Sequence, residues 1–540
     1  MEAIWGFISK FFTLDLLTSL VRFGIVLGVL IFVHELGHFL IAKWRGIYVK
    51  VFSLGFGPRL VGFRKNETDY RISAFPLGGY VKMAGQEDWP GQEEKEKEET
   101  EEDKDIPQER KFSGKRTWEK LSVIAAGPLM NILAAVFIFT ALYSVGFQVP
   151  SYYLSTRIGE VLDGSPAAEA GLRPGDLIEE IDSTPVRDWE AVVMAMIFSW
   201  GEPRRLTVRS GDGVKNVEVS PVHLPGSRFR GIGIAPYLEA EVKGLLPGMP
   251  AEAAGLKPGD VILSLNGKEY SSPELIEEIS RLPGHPGSLQ VRREGKIIPI
   301  SLPIAAAGTV PGVVLDGSRV IYAEKAEGNG PSPLQAGDRI VAVNGTRVEP
   351  EEVGSFIRDH PDEMLVLRVE RPAGEEADKS IFETAITTGT RGMLGVEIGI
   401  HQVEEHYPIF RAFARAVRKT IGQAKAWILS LVALGRGEIS HRELAGPIGI
   451  YLATEKVAKE GMVELLQFVA TISIILGLVN LLPIPVLDGG NLLIFSLEGI
   501  RRKPLKVKTM VVLQQIGLII VALIAVLVFY NDIFYRLLGH

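Results

Sequence analysis

His34-Glu35-Leu36-Gly37-His38 places two imidazoles four residues apart, with a carboxylate beside the first. On a helix such residues share a face, so both rings can reach one metal ion while Glu35 serves as general base for a water beside it. A hydrolytic zinc centre commonly takes three protein ligands and leaves its fourth position open. The chain has no cysteine, so the third ligand must be His, Asp or Glu. Asp488 is the candidate, in Asn480-Leu-Leu-Pro483-Ile-Pro485-Val-Leu-Asp488-Gly489-Gly490. Two prolines and two glycines do not suit a regular lipid-facing helix, so this stretch is expected to line a cavity. The plain alternative is a helix-ending Asp-Gly turn. Charge favours the metal: Zn2+ with ionised Glu35 and Asp488 is neutral, whereas either carboxylate alone is costly away from water.

These residues lie in or beside apolar stretches. Residues 16–42, 121–147, 465–487 and 511–530 are each long enough to cross a bilayer as a helix. The first carries His34, Glu35 and His38 inside its apolar part and is a retained span rather than a cleaved signal. Residues 421–434 are too short to cross and contain Gln423 and Lys425, which suggests a helix along the surface or docked on the bundle. Lys43, Arg45, Lys50, Arg64, Lys65 and Arg71 follow the first span, and Arg501, Arg502, Lys503, Lys506 and Lys508 precede the fourth. Positive loops mark the cytoplasmic side. Both halves of the metal site then sit at the cytoplasmic ends of their spans, and residues 148–408 lie outside. The acidic run at 93–105 reads as a solvated linker. A net charge of -7 offers no basic field for nucleic acid, which is not expected as a partner.

The outer segment repeats itself. Ser165-Pro-Ala-Ala-Glu-Ala-Gly-Leu-Arg-Pro-Gly-Asp176, Met249-Pro-Ala-Glu-Ala-Ala-Gly-Leu-Lys-Pro-Gly-Asp260 and Pro331-Ser-Pro-Leu-Gln-Ala-Gly-Asp338 read as a short helix, a glycine turn and a strand. The copies look like PDZ domains, which accept a peptide as an added strand; rigid spacers or steric filters are equally open. Asn266-Gly267 and Asn344-Gly345 end two of the strands, and Asp182-Ser183 stands at that place in the first copy. Residues 48–82 alternate like strands and carry Gly78 and Gly79, which suggests a hairpin whose edge could pair with an extended substrate.

His34-Glu-Leu-Gly-His38 in a first span, Ala126-Gly127-Pro128-Leu-Met-Asn131 in a second, PDZ-like repeats, and Asn480-Leu-Leu-Pro-Ile-Pro-Val-Leu-Asp488-Gly-Gly in a third together resemble the site-2 protease family, in particular its bacterial sigma-E-regulating branch. The resemblance covers nearly the whole chain. It implies a multi-pass zinc endopeptidase of the bacterial inner membrane that cuts transmembrane substrates, such as an anti-sigma factor already trimmed by a site-1-type protease, and leftover signal peptides. It also implies that Asn480 bonds substrate backbone, with helix capping the alternative. Asn131 is open between packing and a place near the metal. Three repeats rather than two, the acidic insertion, and Asn491 where relatives often have His depart from the pattern. The expected architecture is a polytopic α-helical membrane protein with four transmembrane helices, a membrane-associated β-hairpin and tandem β-rich PDZ-like extracytoplasmic domains. Its parts are a first membrane half (1–147), three PDZ-like domains (148–228, 229–305, 306–392), amphipathic linker helices (393–460) and a second membrane half (461–540). A non-catalytic scaffold and a metal transporter are the competing readings.

Overall fold

The computed structural model describes residues 14–86, 105–211, 213–224, 227, 229–309, 313–316, 319–323, 334–335, 337–371, 380–503 and 505–537. Nearly all of the acidic run and Pro331-Ser-Pro333 lie outside the described residues. The chain divides into two units, 1–148 with 404–540, and 149–403.

The first unit is helical: α1 (Leu14–Trp44), α2 (Thr117–Val145), α3 (Ile409–Gly435), α4 (Pro447–Glu460), α5 (Met462–Asn480), α6 (Asp488–Arg501) and α7 (Val507–Asn531). Among the described residues, four helical stretches are long and apolar enough to cross a membrane, at Thr18–Trp44, Thr117–Val145, Met462–Asn480 and Lys508–Arg536. Backbone groups in hydrocarbon have no water to bond, and a helix satisfies them internally. The third stretch ends earlier than the expected 465–487. Pro483 and Pro485 withhold the N–H groups a helix needs, so α5 stops at Asn480, residues 481–487 turn, and Asp488 opens a new helix. Residues 421–434 belong to the longer α3, which packs on α2 and α5.

Between α1 and α2 the chain forms a long ribbon, β1 (Val49–Lys65) and β2 (Thr68–Met83). Residues 51–54 have partners at both 69–72 and 79–82, so the ribbon folds back into a sheet with the end of β2 on one edge. Its base is anchored by Val49, Phe52 and Met83, which pack with Phe39 of α1 and Val123 of α2. The distal part is different: Phe56, Leu60, Val61, Phe63, Ile72 and Phe75 are all exposed.

The second unit holds three β-rich cores. The first gathers Ile158, Ile178, Leu206 and Ile232. Ile158–Val161 pairs with Ile234–Pro236, so this copy runs past the expected boundary at 228. The second core includes Ala240, Leu265, Leu289, Ile304 and also Leu394. Its five-stranded sheet ends on Val396–Ile400, paired with Ala240–Leu245. The expected linear order 229–305, 306–392, 393–460 is therefore corrected. Residues 396–400 are a strand of the second copy, the linker helices begin only at Ile409, and the third copy is inserted between two paired strands, Ala305–Thr309 and Gly389–Met393. The repeat signature marks a helix, turn and strand, and carries no trace of a strand that returns from far along the chain.

The recurrent aspartates are internal clamps. Asp260 accepts from Arg293 (2.6 Å) and from the Lys257 N–H (2.9 Å); Asp338 does the same with Arg371 (2.7 Å) and the Gln335 N–H (2.8 Å). In the first copy Lys215 replaces the arginine, 2.9 Å from Asp176. At Asp176 and Asp260 burial alone would raise the carboxyl, but the bonds outweigh it and both lie below the usual range. The hairpin turns are equivalent too. Asn266, Asn344 and Asp182 all have positive φ, and each side chain accepts a backbone N–H from the neighbouring strand, of Ser288, Val366 and Arg205. Asp182-Ser183 thus does the work of Asn-Gly.

Candidate metal centre

α1 presents His34 and His38 one turn apart, both buried, toward α2. The helices approach closely because their facing residues are small. A Cβ on Gly37 would lie 2.3 Å from the Ala126 carbonyl oxygen, and one on Gly127 would lie 2.2 Å from His38 Nε2 and 2.8 Å from His34 Nε2. Each ring is held from behind. His38 Nδ1 donates to the Val123 carbonyl (2.8 Å), in the turn of α2 that precedes Pro128. This fixes the tautomer and leaves the Nε2 lone pair directed forward. His34 Nδ1 is 3.3 Å from Asn131 Nδ2, while Asn131 Oδ1 is buried without a partner. Amide O and N exchange with almost no change of shape. Turned over, Asn131 accepts the Nδ1 proton and frees the His34 Nε2 lone pair as well. Asn131 is fully buried and also packs between spans: its carbonyl accepts Ser473 Oγ of α5 at 2.8 Å.

Asp488 arrives from the other half of the unit, in the first turn of α6. The turn that delivers it is tight. Val486 has φ of 100°, a region that β-branched residues avoid, and a Cβ on Gly489 or Gly490 would lie 2.2 or 2.3 Å from carbonyl atoms of residues 481–484. The glycines are required for close packing of the turn on itself.

The three donors converge. His34 Nε2 and His38 Nε2 are 3.2 Å apart, and 3.1 and 3.4 Å from Asp488 Oδ2. Ligands about 2.0–2.1 Å from one tetrahedral zinc ion lie about 3.3–3.4 Å from each other. Two imidazole nitrogens and a carboxylate oxygen at these spacings fit zinc in both chemistry and distance. Among the described residues, His34, His38 and Asp488 are the group able to hold a metal in this way.

Glu35 lies beside the trio and accepts the backbone N–H of Val81, in the edge segment of β2. A Cβ on Gly79 would sit 3.1 Å from Glu35 Cγ, so the strand passes directly against this side chain. Gly78 serves a different contact, with an added Cβ 1.9 Å from the Phe56 ring. Asn480 closes α5, half-buried, eight residues before Asp488. The contacts of Val123, Gly127 and Val81 with the site escape sequence reasoning, because two are backbone groups and the third matters for the side chain it lacks.

The profile of peptidase family M50 matches residues 22–524. A putative zinc metalloprotease of Vibrio cholerae is 30% identical over 537 residues, covering 96% of this chain and 99% of that protein. The regulator of sigma-E protease RseP of Escherichia coli is 30% identical over 532 residues, covering 96% and 99%. A PDZ domain of an SdrC-like protein from Listeria monocytogenes is 27% identical, covering 16% of this chain and 88% of that structure, with a TM-score of 0.14.

Proposed function

The chain belongs to peptidase family M50 and is a zinc metalloprotease, and from that premise we propose that it cuts single-pass membrane proteins within the bilayer, in regulated intramembrane proteolysis. The observation that carries this reading is the convergence of His34, His38 and Asp488 at zinc-ligand spacing, next to Glu35, among helices long enough to span a membrane. When bound, zinc supplies Lewis-acid polarisation of the scissile carbonyl and lowers the pKa of water.

The residues supply the rest. His38 and His34 present lone pairs fixed by the Val123 carbonyl and Asn131. The Glu35 carboxylate takes a proton from the attacking water and returns it to the leaving amine nitrogen. Its bond from the Val81 N–H holds it in place. A transmembrane helix hides its carbonyls in its own hydrogen bonds, so it must be unwound first. The edge of β2 at residues 79–83 supports that step, because backbone groups along it can pair with an extended segment. The exposed apolar residues of the distal ribbon, such as Phe63 and Phe75, suit contact with lipid. Asn480 would bond substrate backbone at the start of the 481–487 turn, and Gly79 gives the substrate room beside Glu35.

The basic loops support a metal site near the cytoplasmic face and PDZ-like domains outside, in a bacterial inner membrane. RseP of Escherichia coli is named as a regulator of sigma-E, and an anti-sigma factor trimmed beforehand by a site-1-type protease is the corresponding substrate class here. Glu35→Gln is the test. The variant should keep its zinc and lose cleavage of a membrane-embedded reporter by a factor of about 10² or more. Undiminished cleavage would remove Glu35 from the reaction; zinc uptake into vesicles with no cleavage by the unaltered chain would make it a transporter.

A further inference from the structure

α3 carries a charge pattern that neither the metal site nor the spans explain. From Ile409 to Arg436 the chain has six cations, at 411, 415, 418, 419, 425 and 436, and no acidic residue. The 27 residues of α3 extend about 40 Å, enough to cross a bilayer, yet both ends are tied to the same side. Just before α3, the Tyr407 N–H donates to the Tyr143 carbonyl in the last turn of α2 (2.8 Å), and the Arg415 guanidinium lies over both tyrosine rings. Just after it, the His441 carbonyl accepts from Asn531 at the end of α7, and the Leu444 carbonyl accepts from Arg536 (3.0 Å). Spans crossing in sequence alternate in direction, and α5 is the next span after α2. The C-terminal ends of α2 and α7 therefore share a face, and both ends of α3 are held there, while Gln423 at its middle donates to Thr471 of α5 (3.3 Å).

Around its axis α3 has three faces. Ala412, Ala416 and Thr420 are buried in the bundle. Phe410, Phe413, Ile421 and Ile428 are exposed, Phe410 by 87% and Ile421 by 62%. Arg411, Arg418 and Lys425 recur every seven residues and Arg436 follows eleven later, close to two and three whole turns, so these exposed cations form one stripe beside the apolar face. Loop charge that orients a membrane protein collects on the opposite face, after α1 and before α7, so this stripe needs another explanation.

The geometry points to a binding site for anionic phospholipid along α3, with acyl chains against Phe410, Phe413 and Ile421 and headgroup phosphates on the Arg411–Arg436 stripe. A helix held at the outer ends of two spans, with one apolar and one basic face, matches both halves of such a lipid and no soluble anion. The inference rests on the four spans and is independent of the reaction proposed above.

The full chain in phosphatidylcholine nanodiscs is given trace spin-labelled phosphatidylglycerol or phosphatidylcholine, and the motionally restricted fraction is measured. Phosphatidylglycerol should be preferred at least about fivefold, the discrimination that one cation supplies near an anionic surface, and high salt should erase the preference. Arg411→Gln, Arg418→Gln, Lys425→Gln and Arg436→Gln together should bring it close to parity. Arg→Lys at 411, 418 and 436 should retain it, and together with the salt titration this decides the matter if the Gln variant does not fold. Equal restriction of both lipids, a preference indifferent to salt, or a folded Gln variant that keeps it would each overturn the site. Equal restriction with two chains per disc would instead assign the apolar face to a second copy.

Discussion

Replacing Gly127 by Ala adds one methyl group at the place where α2 crosses the two imidazoles. The new Cβ would stand 2.2 Å from His38 Nε2 and 2.8 Å from His34 Nε2, against an ordinary contact of about 3.5 Å. One ring or one helix must move by roughly 1 Å. The rings cannot swing aside freely, because His38 is bonded to Val123 and His34 abuts Asn131. Parting the helices would give up the close packing of Gly37 against the Ala126 carbonyl. Alanine gains about 1 kcal/mol in helix propensity, which offsets part of an overpacking cost of about 1–3 kcal/mol. The variant should therefore still fold and insert. Metal ligands tolerate displacements of only about 0.2 Å, and a misplacement of about 1 Å in a reacting group costs on the order of 10²-fold in rate. Zinc content measured by mass spectrometry and cleavage of a membrane-embedded reporter should both fall, cleavage by about 10²-fold or more. Gly24→Ala on α1 is the control, since a Cβ there meets nothing within 4 Å, and it should cut at the unaltered rate. Gly127→Ala with full zinc and cleavage within twofold of the parent would refute the geometry of the site.

Asp488→Ala should leave two histidines and empty the purified protein of zinc; full occupancy by elemental analysis would mean that another residue is the third ligand. Asn131→Ala removes the group that fixes the His34 tautomer and should weaken zinc about 10- to 100-fold in a chelator competition, whereas a purely structural role would lower the melting temperature without changing that competition in the folded fraction. Acid should loosen the second PDZ-like domain in a defined direction. The folded carboxyl of Asp260 lies below its ordinary value, so the unfolded state takes up its proton first as pH falls. The stabilisation is complete above about pH 5 and is lost as pH drops through about 4 toward the folded value. Hydrogen exchange of Val261–Leu265 should accelerate over that window. Asp260→Asn should flatten the response, and an unchanged profile would exclude the clamp as its source.

Local pattern in the sequence determines much of this protein. The His34–His38 spacing fixes two imidazoles on one helical face, since a helix repeats every 3.6 residues whatever surrounds it. Apolar run lengths locate the spans, and Pro483, Pro485 and the Gly489-Gly490 pair announce an irregular turn before Asp488. The Gly-Asp pair repeated at Asp176, Asp260 and Asp338 marks the three β-rich cores. Tertiary structure decided what depends on residues remote in the chain. That α5 stops at Asn480 and a new helix begins at Asp488, that the Val81 N–H meets Glu35, that the third β-rich core interrupts the second, and that the segments flanking α3 are tied to the ends of α2 and α7 all follow from contacts between segments tens or hundreds of residues apart. Such contacts are made by backbone carbonyls, N–H groups and missing side chains, as at Val123, Val81 and Gly127. Every residue has a backbone and many positions have no side chain, so their identities in the sequence carry no mark of the partner they meet.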